Sequence, residues 1–316
     1  MRYQHSTAAS PAAVTAARAA AQPGHLYVTN QLDDTLSVIN ARTSQVTATV
    51  PAGTGPEGVA VTPDGSRAYI ADSGSAHVSV LDTATGKIVA TVAAGQSPTG
   101  VALSPDGQFL YVTNGSSNSV SVIATRTNRV TATIPVGTSP VNLAVSHDGT
   151  TAYVANMGSA SVSVIDTRTN KVARDLPAGK YPVAVAITPD GGTVYAANQA
   201  NATVSVISTS AAKITATIPT GDGPFDVTVA PDGQHAYVAV LGPGNVSAID
   251  TQTNRITGTV NIGPPGTDPF DIAATTTALY VVSQAAGTVS VINPGSLKIT
   301  ATVTVGDSPY GVAVGP

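Results

Sequence analysis

Four short hydrophobic runs, separated by turn residues, recur in the same order along almost the whole chain. One copy lies between residues 182 and 221, where P-V-A-V-A-I is followed by V-Y-A-A-N, T-V-S-V-I and K-I-T-A-T-I-P. The runs are rich in valine, threonine and isoleucine, which favours β-strands over helices. Pro-Asp-Gly follows the first run in most copies, because proline presets φ and glycine accepts positive φ in a tight turn. The pattern predicts a repeat of four antiparallel strands, labelled A to D.

A tyrosine in strand B marks each copy of the repeat. Successive tyrosines are 42 residues apart, except that the last interval is 43 residues. They are Tyr27, Tyr69, Tyr111, Tyr153, Tyr195, Tyr237 and Tyr280. A period in the forties with four strands per unit is typical of β-propellers, in which each unit forms one blade. Strand A is predicted at residues 58–62 and at the matching positions of the other copies.

The two ends of the repeat are complementary. The first copy begins on strand B near Leu26, and the last strand A lies at residues 310–314. We expect this strand to complete the first blade, because closing the ring removes exposed sheet edges. Residues 25–316 are therefore predicted to form a single all-β, seven-bladed β-propeller with four antiparallel strands per blade. Residues 1–24 are predicted to be a flexible alanine-rich tail.

Composition narrows the classes of function. Charged residues make up 10% of the chain, the formal net charge is −4 and no basic run is present, which disfavours nucleic-acid binding. The chain has no cysteine, so it contains neither disulfides nor a catalytic thiol. No apolar run reaches the roughly 18–20 residues of a transmembrane helix, so none is expected. We expect a monomer.

Two tetrapeptides carry a family resemblance. Residues 27–30 and 111–114 both read Y-V-T-N, and Ser-Val-Ile/Leu runs with Asp-Thr follow in several copies. Residues 25–316 thus resemble the YVTN-family β-propellers, which include bacterial and archaeal surface-layer and periplasmic proteins. The resemblance implies an extracytoplasmic protein, secreted, periplasmic or on the cell surface, with its signal absent or removed; a cytoplasmic location stays open. It does not identify a function, since propellers serve as binding platforms and as enzymes.

The repeat is broken just after the repeated proline that precedes strand A. Two adjacent copies carry Phe225-Asp226 and Phe270-Asp271, and the last copy carries Tyr310, where other copies have mostly small or aliphatic residues. The loop before Phe270 is also three residues longer than its counterparts. These positions belong to the D–A connections, which share one face of the disc with the variable B–C loops. Variable loops on a rigid frame are where binding sites tend to lie.

We predict a polar and aromatic pocket at the channel mouth on this face. The expected ligand-binding residues are Glu57, Asn142, Lys180, Tyr181, Phe225, Phe270 and Tyr310. The preferred function is a binding propeller that recognises a small molecule, a glycan or a protein. The alternative is a lyase, cyclase or hydrolase on a small organic substrate, with Asp226 and Asp271 as the acid/base pair.

A third interpretation leaves the two carboxylates as solvated loop residues and the aromatic rings as a plug in the channel. No cofactor is expected, although Asp226 and Asp271 could hold a divalent cation through their oxygens. A weaker candidate pair lies elsewhere: Asp72 replaces the asparagine that recurs after strand B, and His77 follows five residues later.

Overall fold

The computed structural model describes residues 24–264 and 266–316. Within these ranges the chain forms 28 strands and one short 3-10 helix, Gln199–Asn201. The strands form seven antiparallel four-stranded sheets, one per blade, which confirms the predicted seven-bladed propeller. No helix in the described ranges is long and apolar enough to cross a bilayer. Apart from Gly24, the predicted tail lies outside the described residues.

Each blade runs outward from the channel through strands A, B, C and D. The A strands are β4 (Pro56–Val61), β8 (Pro98–Leu103), β12 (Pro140–Val145), β16 (Pro182–Ile187), β20 (Pro224–Val229), β24 (Pro269–Ala274) and β28 (Pro309–Gly315). The B strands are β1 (His25–Asn30), β5 (Arg67–Asp72), β9 (Phe109–Asn114), β13 (Thr151–Asn156), β17 (Thr193–Asn198), β21 (His235–Val240) and β25 (Leu279–Ser283). The C strands are β2 (Thr35–Asn40), β6 (His77–Asp82), β10 (Ser119–Ala124), β14 (Ser161–Asp166), β18 (Thr203–Ser208), β22 (Asn245–Asp250) and β26 (Thr288–Asn293). The D strands are β3 (Gln45–Pro51), β7 (Lys87–Ala93), β11 (Arg129–Pro135), β15 (Lys171–Pro177), β19 (Lys213–Pro219), β23 (Arg255–Asn261) and β27 (Lys298–Thr304).

The last strand closes the ring as expected. Strand β28 pairs antiparallel with β1, and Leu26 and Val28 lie opposite Val314 and Val312. The first blade is therefore β28-β1-β2-β3, and blades 2 to 7 follow in chain order from β4 to β27.

The core lies between neighbouring blades. Each hydrophobic cluster joins two blades; one, for example, contains Tyr27 and Leu36 of blade 1 together with Ile70 of blade 2. The repeated tyrosine is buried in every blade. The hydroxyl of Tyr195 also donates a hydrogen bond of 2.9 Å to the side-chain oxygen of Asn254, in the C–D turn of the next blade. The tyrosine therefore recurs because it fills the layer between two blades and can bond to the second of them.

Strand A begins two residues earlier than predicted, at the repeated proline rather than after it. Proline is tolerated as the first residue of a strand because its missing N–H is not needed there. In β20 the pairing shifts register between Pro224 and Asp226, and in β24 between Pro269 and Ile272. Asp226 and Asp271 therefore belong to irregular, bulged strand starts at the channel and not to loops.

Candidate functional site

All seven inner strands line one cavity in the central channel, with a volume of about 190 Å³. Its distinctive side chains are Phe225 and Asp226 from β20, Phe270 and Asp271 from β24, and Tyr310 from β28. We call these five residues the acidic-aromatic arc. Small or aliphatic residues form most of the remaining wall. A bulge re-aims side chains at a strand start, which accounts for the pair of channel-facing residues in each of these blades.

The wall is too tight for a side chain at the position of Asp226 in blades 1, 2 and 3, where the residue is glycine. A Cβ atom built on Gly100, which corresponds to Asp226, would lie 2.6 Å from the carbonyl oxygen of Val141 in the next blade. At Gly311 it would lie 2.5 Å from the carbonyl oxygen of Glu57. Glycine is therefore required where the inner strands approach most closely, and the spacing at blades 6 and 7 admits a carboxylate.

Asp226 and Asp271 are held together by a shared backbone donor. The amide N–H of Ile272 donates to Oδ2 of Asp226 at 3.0 Å and to Oδ1 of Asp271 at 2.9 Å. The amide of Val312 on β28 donates to Oδ2 of Asp271 at 2.7 Å. The two carboxyl groups are also hydrogen-bonded to each other. The pair thus joins blades 6, 7 and 1 at the channel.

Both carboxyl groups of the pair have a pKa above the ordinary range. Burial is the main cause that raises the pKa of Asp226 well above its usual range, and the neighbouring carboxylate of Asp271 raises it further. Burial also raises the pKa of Asp271, although hydrogen bonds from Val312, Asp226 and Ile272 oppose that rise. Two carboxyl groups this close ionise as a unit, and the first proton is lost far more easily than the second. Asp226 has the more strongly raised pKa of the two carboxyl groups.

The interpretation of these carboxylates as solvated loop residues is wrong. Asp226 is only 7% exposed, and both side chains lie in strands and accept backbone hydrogen bonds across a blade boundary. Asn142 occupies the same position in blade 4 and accepts a hydrogen bond of 3.2 Å from the amide of Val185 in blade 5. An amide side chain can therefore make the inter-blade link, so the link alone does not require two acids.

The three aromatic rings form one cluster. The ring centroids of Phe225 and Phe270 lie 3.8 Å apart, and Tyr310 meets Phe270 edge-on at 5.0 Å. Burial is the main cause that raises the pKa of the Tyr310 phenol well above its usual range, and the charges of Glu57, Asp271 and Asp226 add to it. Tyr310 is therefore a neutral phenol beside three carboxyl groups.

Three predicted site residues lie outside the cavity wall. Glu57 is half-buried beside it, accepts a hydrogen bond of 3.0 Å from Gln31, and has its pKa raised by burial. Lys180 is exposed, and Tyr181 is 54% exposed. Tyr181 has φ of +54°, as the residue before the proline has positive φ in every blade. Lys180 and Tyr181 therefore belong to the surface of the D–A face.

The sequence analysis missed Thr99, which lines the cavity at the repeat position of Phe225 and Phe270. Its side chain also bonds to Glu57. Its position relative to the repeated proline is the signal that would have identified it.

Asp72 belongs to a separate, buried network. Its carboxylate accepts hydrogen bonds from the Ser79 hydroxyl at 2.6 Å and the Gly53 amide at 3.1 Å. Asn114 occupies the same position in blade 3 and is bonded to the matching Ser121 and Gly95. Asp72 is 1% exposed, and burial raises its pKa to about 6. With both oxygens engaged in an asparagine-type network, Asp72 has a structural role in this fold.

Within residues 24–264 and 266–316, no three His, Cys, Asp or Glu side chains are grouped to hold a metal ion. A divalent cation at Asp226 and Asp271 would have to compete with a proton and with two backbone amides, and it stays a prediction.

The fold and the arc define a seven-bladed propeller with a channel cavity, and comparisons with known proteins agree with the fold. The model of the family described as Lactonase, 7-bladed beta-propeller, matches residues 39–173, a stretch that ends before the arc. No curated protein matches the chain. The YVTN resemblance stays an expectation.

Solved structures share the fold over most of the chain. Hydrazine synthase from Kuenenia stuttgartiensis is 25% identical with a TM-score of 0.74, over 81% of this chain and 88% of that one. A protein of unknown function from Desulfotomaculum acetoxidans is 19% identical with a TM-score of 0.79, over 92% and 99%. Dihydro-heme d1 dehydrogenase NirN, in complex with DHE, is 16% identical with a TM-score of 0.70, over 93% and 75%. The last two likenesses concern the fold alone.

Proposed function

We propose that the protein binds a small organic molecule in the channel cavity, against the acidic-aromatic arc. The observation that carries this proposal is the convergence on one cavity of three aromatic rings and two carboxyl groups that share a backbone N–H donor. Binding pockets typically combine apolar or aromatic walls with a few placed polar groups. The rest of the same wall is mostly glycine and aliphatic residues, with Thr99 and Asn142 among them, so the repeat alone does not require the arc.

The size of the cavity favours a small molecule over a glycan or a protein. A volume of about 190 Å³ admits a compact solute but not an oligosaccharide. A macromolecular partner would contact the exposed D–A face, where Lys180 and Tyr181 lie. Binding that depends on those two residues and not on Phe270 would therefore identify a surface partner instead.

The test is a thermal-shift screen of small metabolites against the wild type, Phe270→Ala and Phe109→Ala. Phe109 is the one phenylalanine of the chain outside the cavity and is 37% exposed, so it is the matched control. A ligand at 100 times its dissociation constant should stabilise the wild type by about 2.7 kcal/mol. We expect the shift to persist in Phe109→Ala and to vanish in Phe270→Ala. An equal shift in all three proteins would contradict binding at the arc.

A second candidate function is hydrolysis of a small ester or lactone. It is favoured by the raised pKa of Asp226 beside Asp271 and by the partial match to the lactonase family. Ionised Asp271 would take a proton from water as the water oxygen bonds to the carbonyl carbon. Protonated Asp226 would give its proton to the departing oxygen as the ring C–O bond breaks. One water is consumed, a hydroxy acid forms, and the pair still holds one proton.

Hydrolysis is tested by incubating the wild type, Asp226→Asn and Asp271→Asn with a panel of simple lactones. Either substitution should lower the rate by at least about 100-fold, the usual contribution of general acid–base catalysis. Binding without turnover in the wild type would exclude this second function and leave the first intact.

We also propose an extracytoplasmic location, which the YVTN resemblance supports, and a monomeric protein. Light scattering at micromolar concentration tests the oligomeric state, and fractionation of the native host tests the compartment.

A further inference from the structure

The cavity has an unbalanced electrostatic character. Its only titratable lining residues are Asp226, Asp271 and Tyr310, and the carboxylate of Glu57 lies just behind the wall. Among the residues that the structure describes, no lysine, arginine or histidine lines this cavity. The carboxyl pair keeps one negative charge when it holds one proton. A ligand that enters the cavity therefore meets a negative potential with no protein cation to offset it.

The aromatic rings add a second, independent preference. The faces of phenylalanine and tyrosine rings carry the negative part of the ring quadrupole and attract cations within about 6 Å. Three such rings lie in contact with one another on one side of the cavity. An aromatic wall would also suit a neutral apolar ligand, and a carboxylate alone would also suit a hydrogen-bond donor. Their combination favours a ligand that is apolar in shape and positive in charge.

We propose that the ligand is a small organic cation, an amine or quaternary ammonium compound, whose nitrogen lies between the aromatic rings and the Asp271 carboxylate. This inference rests on the proposed binding function and names its ligand class. It makes the hydrolytic alternative one that acts on a cationic ester, since the same pocket would receive both.

An inorganic divalent cation fits the same cavity less well. Calcium and magnesium require about six or more oxygen ligands, several of them from the protein or from water. Both oxygens of Asp271 already accept backbone N–H groups, and the phenylalanine rings offer no oxygen. An organic cation needs only an aromatic ring face and one nearby negative charge, because its hydrophobic substituents fill the rest of the cavity.

The experiment compares ligands that differ in charge and not in shape. Choline, its neutral carbon isostere 3,3-dimethylbutan-1-ol and the anion 3,3-dimethylbutanoate are titrated by calorimetry and by saturation-transfer NMR, with methylammonium and tetramethylammonium as smaller probes. We expect at least one cation to bind about tenfold or more tightly than its neutral isostere, and the anion not to bind.

Three variants locate the effect. Phe270→Leu keeps apolar volume but removes the ring face, and Asp271→Asn removes the charge while keeping the acceptor that Asn142 provides in blade 4. Each should weaken cation binding about tenfold, and Phe109→Ala should leave it unchanged. Circular dichroism melts of each variant confirm folding; if Phe270→Leu does not fold, Phe225→Leu takes its place.

The outcomes distinguish a failure of the cation inference from a failure of the proposed small-molecule binding. Equal affinity for choline and its neutral isostere, lost in Phe270→Leu, overturns the cation inference but supports a small-molecule pocket. Cation binding that Phe270→Leu does not change overturns the placement at the arc. If none of the probes binds while the metabolite screen finds a neutral or anionic ligand, the inference is wrong and the pocket stands. If neither experiment finds a ligand, both are wrong.

Discussion

Blades 3 and 7 build the same position of the channel wall in different ways. In blade 3, Gly100 donates its N–H to the Thr113 hydroxyl, which in turn donates to the carbonyl of Val141 in the next blade. In blade 7, the carboxylate of Asp271 reaches across the boundary and accepts the N–H of Val312. Both arrangements link neighbouring blades, but one excludes side chains and the other brings a titratable group into the channel. A repeat protein can thus acquire a candidate site by substitutions at two positions of strand A, while each blade keeps its four strands.

The largest expected effect comes from giving blade 3 a side chain. Gly100→Ala would place Cβ 2.6 Å from the carbonyl oxygen of Val141, so one inner strand has to move. We expect a loss of at least about 3 kcal/mol in the free energy of unfolding, the upper part of the usual range for overpacking. Ala184, buried at the same position of blade 5, is the control. Its replacement by glycine should cost about 1 kcal/mol. Equal costs at the two sites would show that the blades do not differ in spacing.

The buried acid of blade 2 provides the next comparison, with its asparagine counterpart in blade 3. The pKa of Asp72 is about 6 in the folded protein, against an ordinary value of 3.8, so folding favours its protonated form. Its destabilising charge is absent at low pH, develops as pH rises between about 4 and 6, and is constant above. Asp72→Asn should therefore stabilise the protein by up to about 3 kcal/mol at pH 8 and little at pH 4.

Urea unfolding at the two pH values measures this difference. The reverse change in blade 3, Asn114→Asp, should destabilise the protein at pH 8 and much less at pH 4. A gain from Asp72→Asn that does not depend on pH would mean that the charge of Asp72 is not the cause.

Removing the carboxylate of blade 7 should have a moderate effect. Asp271→Ala leaves the buried amide of Val312 without its acceptor, which costs about 2 kcal/mol. Asp271→Asn keeps an acceptor oxygen and should cost less than about 1 kcal/mol, because Asn142 makes the equivalent bond in blade 4. Chemical denaturation of the two variants measures both values. If they are equally unstable, the charge of Asp271 and not its acceptor stabilises the ring.

The smallest effect is expected for Asp226→Asn below about pH 4, where the carboxyl group it replaces is protonated in both the folded and the unfolded protein. The raised pKa of Asp226 means that its contribution to stability is present at low pH and is lost as pH rises through the folded value. The variant should therefore match the wild type near the ordinary carboxyl pKa and become relatively more stable as pH rises above it, because the unfolded carboxyl group then ionises while the folded one keeps its proton. Melting curves of both proteins from about pH 4 upward measure the change, and a stability difference that does not depend on pH would show that no proton is trapped at this site.

The sequence predicted the fold well because the repeat reports it directly. The spacing of Tyr27 to Tyr280 gave the number of blades, and the unpaired strands near Leu26 and Tyr310 gave the closure. It also identified Asp226 and Asp271, since both depart from a repeated small residue. Their burial was not predictable, because it depends on a strand that starts at the proline and bulges, and on the register of two neighbouring blades.

The limits of the sequence prediction are clearest at Lys180 and Tyr181. Both depart from the repeat as much as Phe225 does, and they lie only a few positions from the corresponding residue of their own blade. Two residues along the chain separate a side chain that faces the channel from one that faces solvent. A departure from the repeat therefore identifies candidate site residues. Whether a candidate side chain faces the channel or solvent is visible only in the three-dimensional structure. The raised pKa values of the carboxyl pair likewise depend on distances that no spacing in the sequence encodes.

The pairing of β28 with β1 has a consequence for the order of the chain. The amide of Gly24 donates a hydrogen bond of 3.2 Å to the carbonyl oxygen of Gly315, so the two ends of the ring are neighbours. A short peptide could join them, and the chain could be opened instead between blades, for example before Pro269. In such a circular permutant, every blade would consist of four consecutive strands. The blade β28-β1-β2-β3 would no longer combine two segments from opposite ends of the chain. Any blade could therefore come first in such a permuted chain. In the natural chain, the junction between the two ends lies in the blade that contains Tyr310.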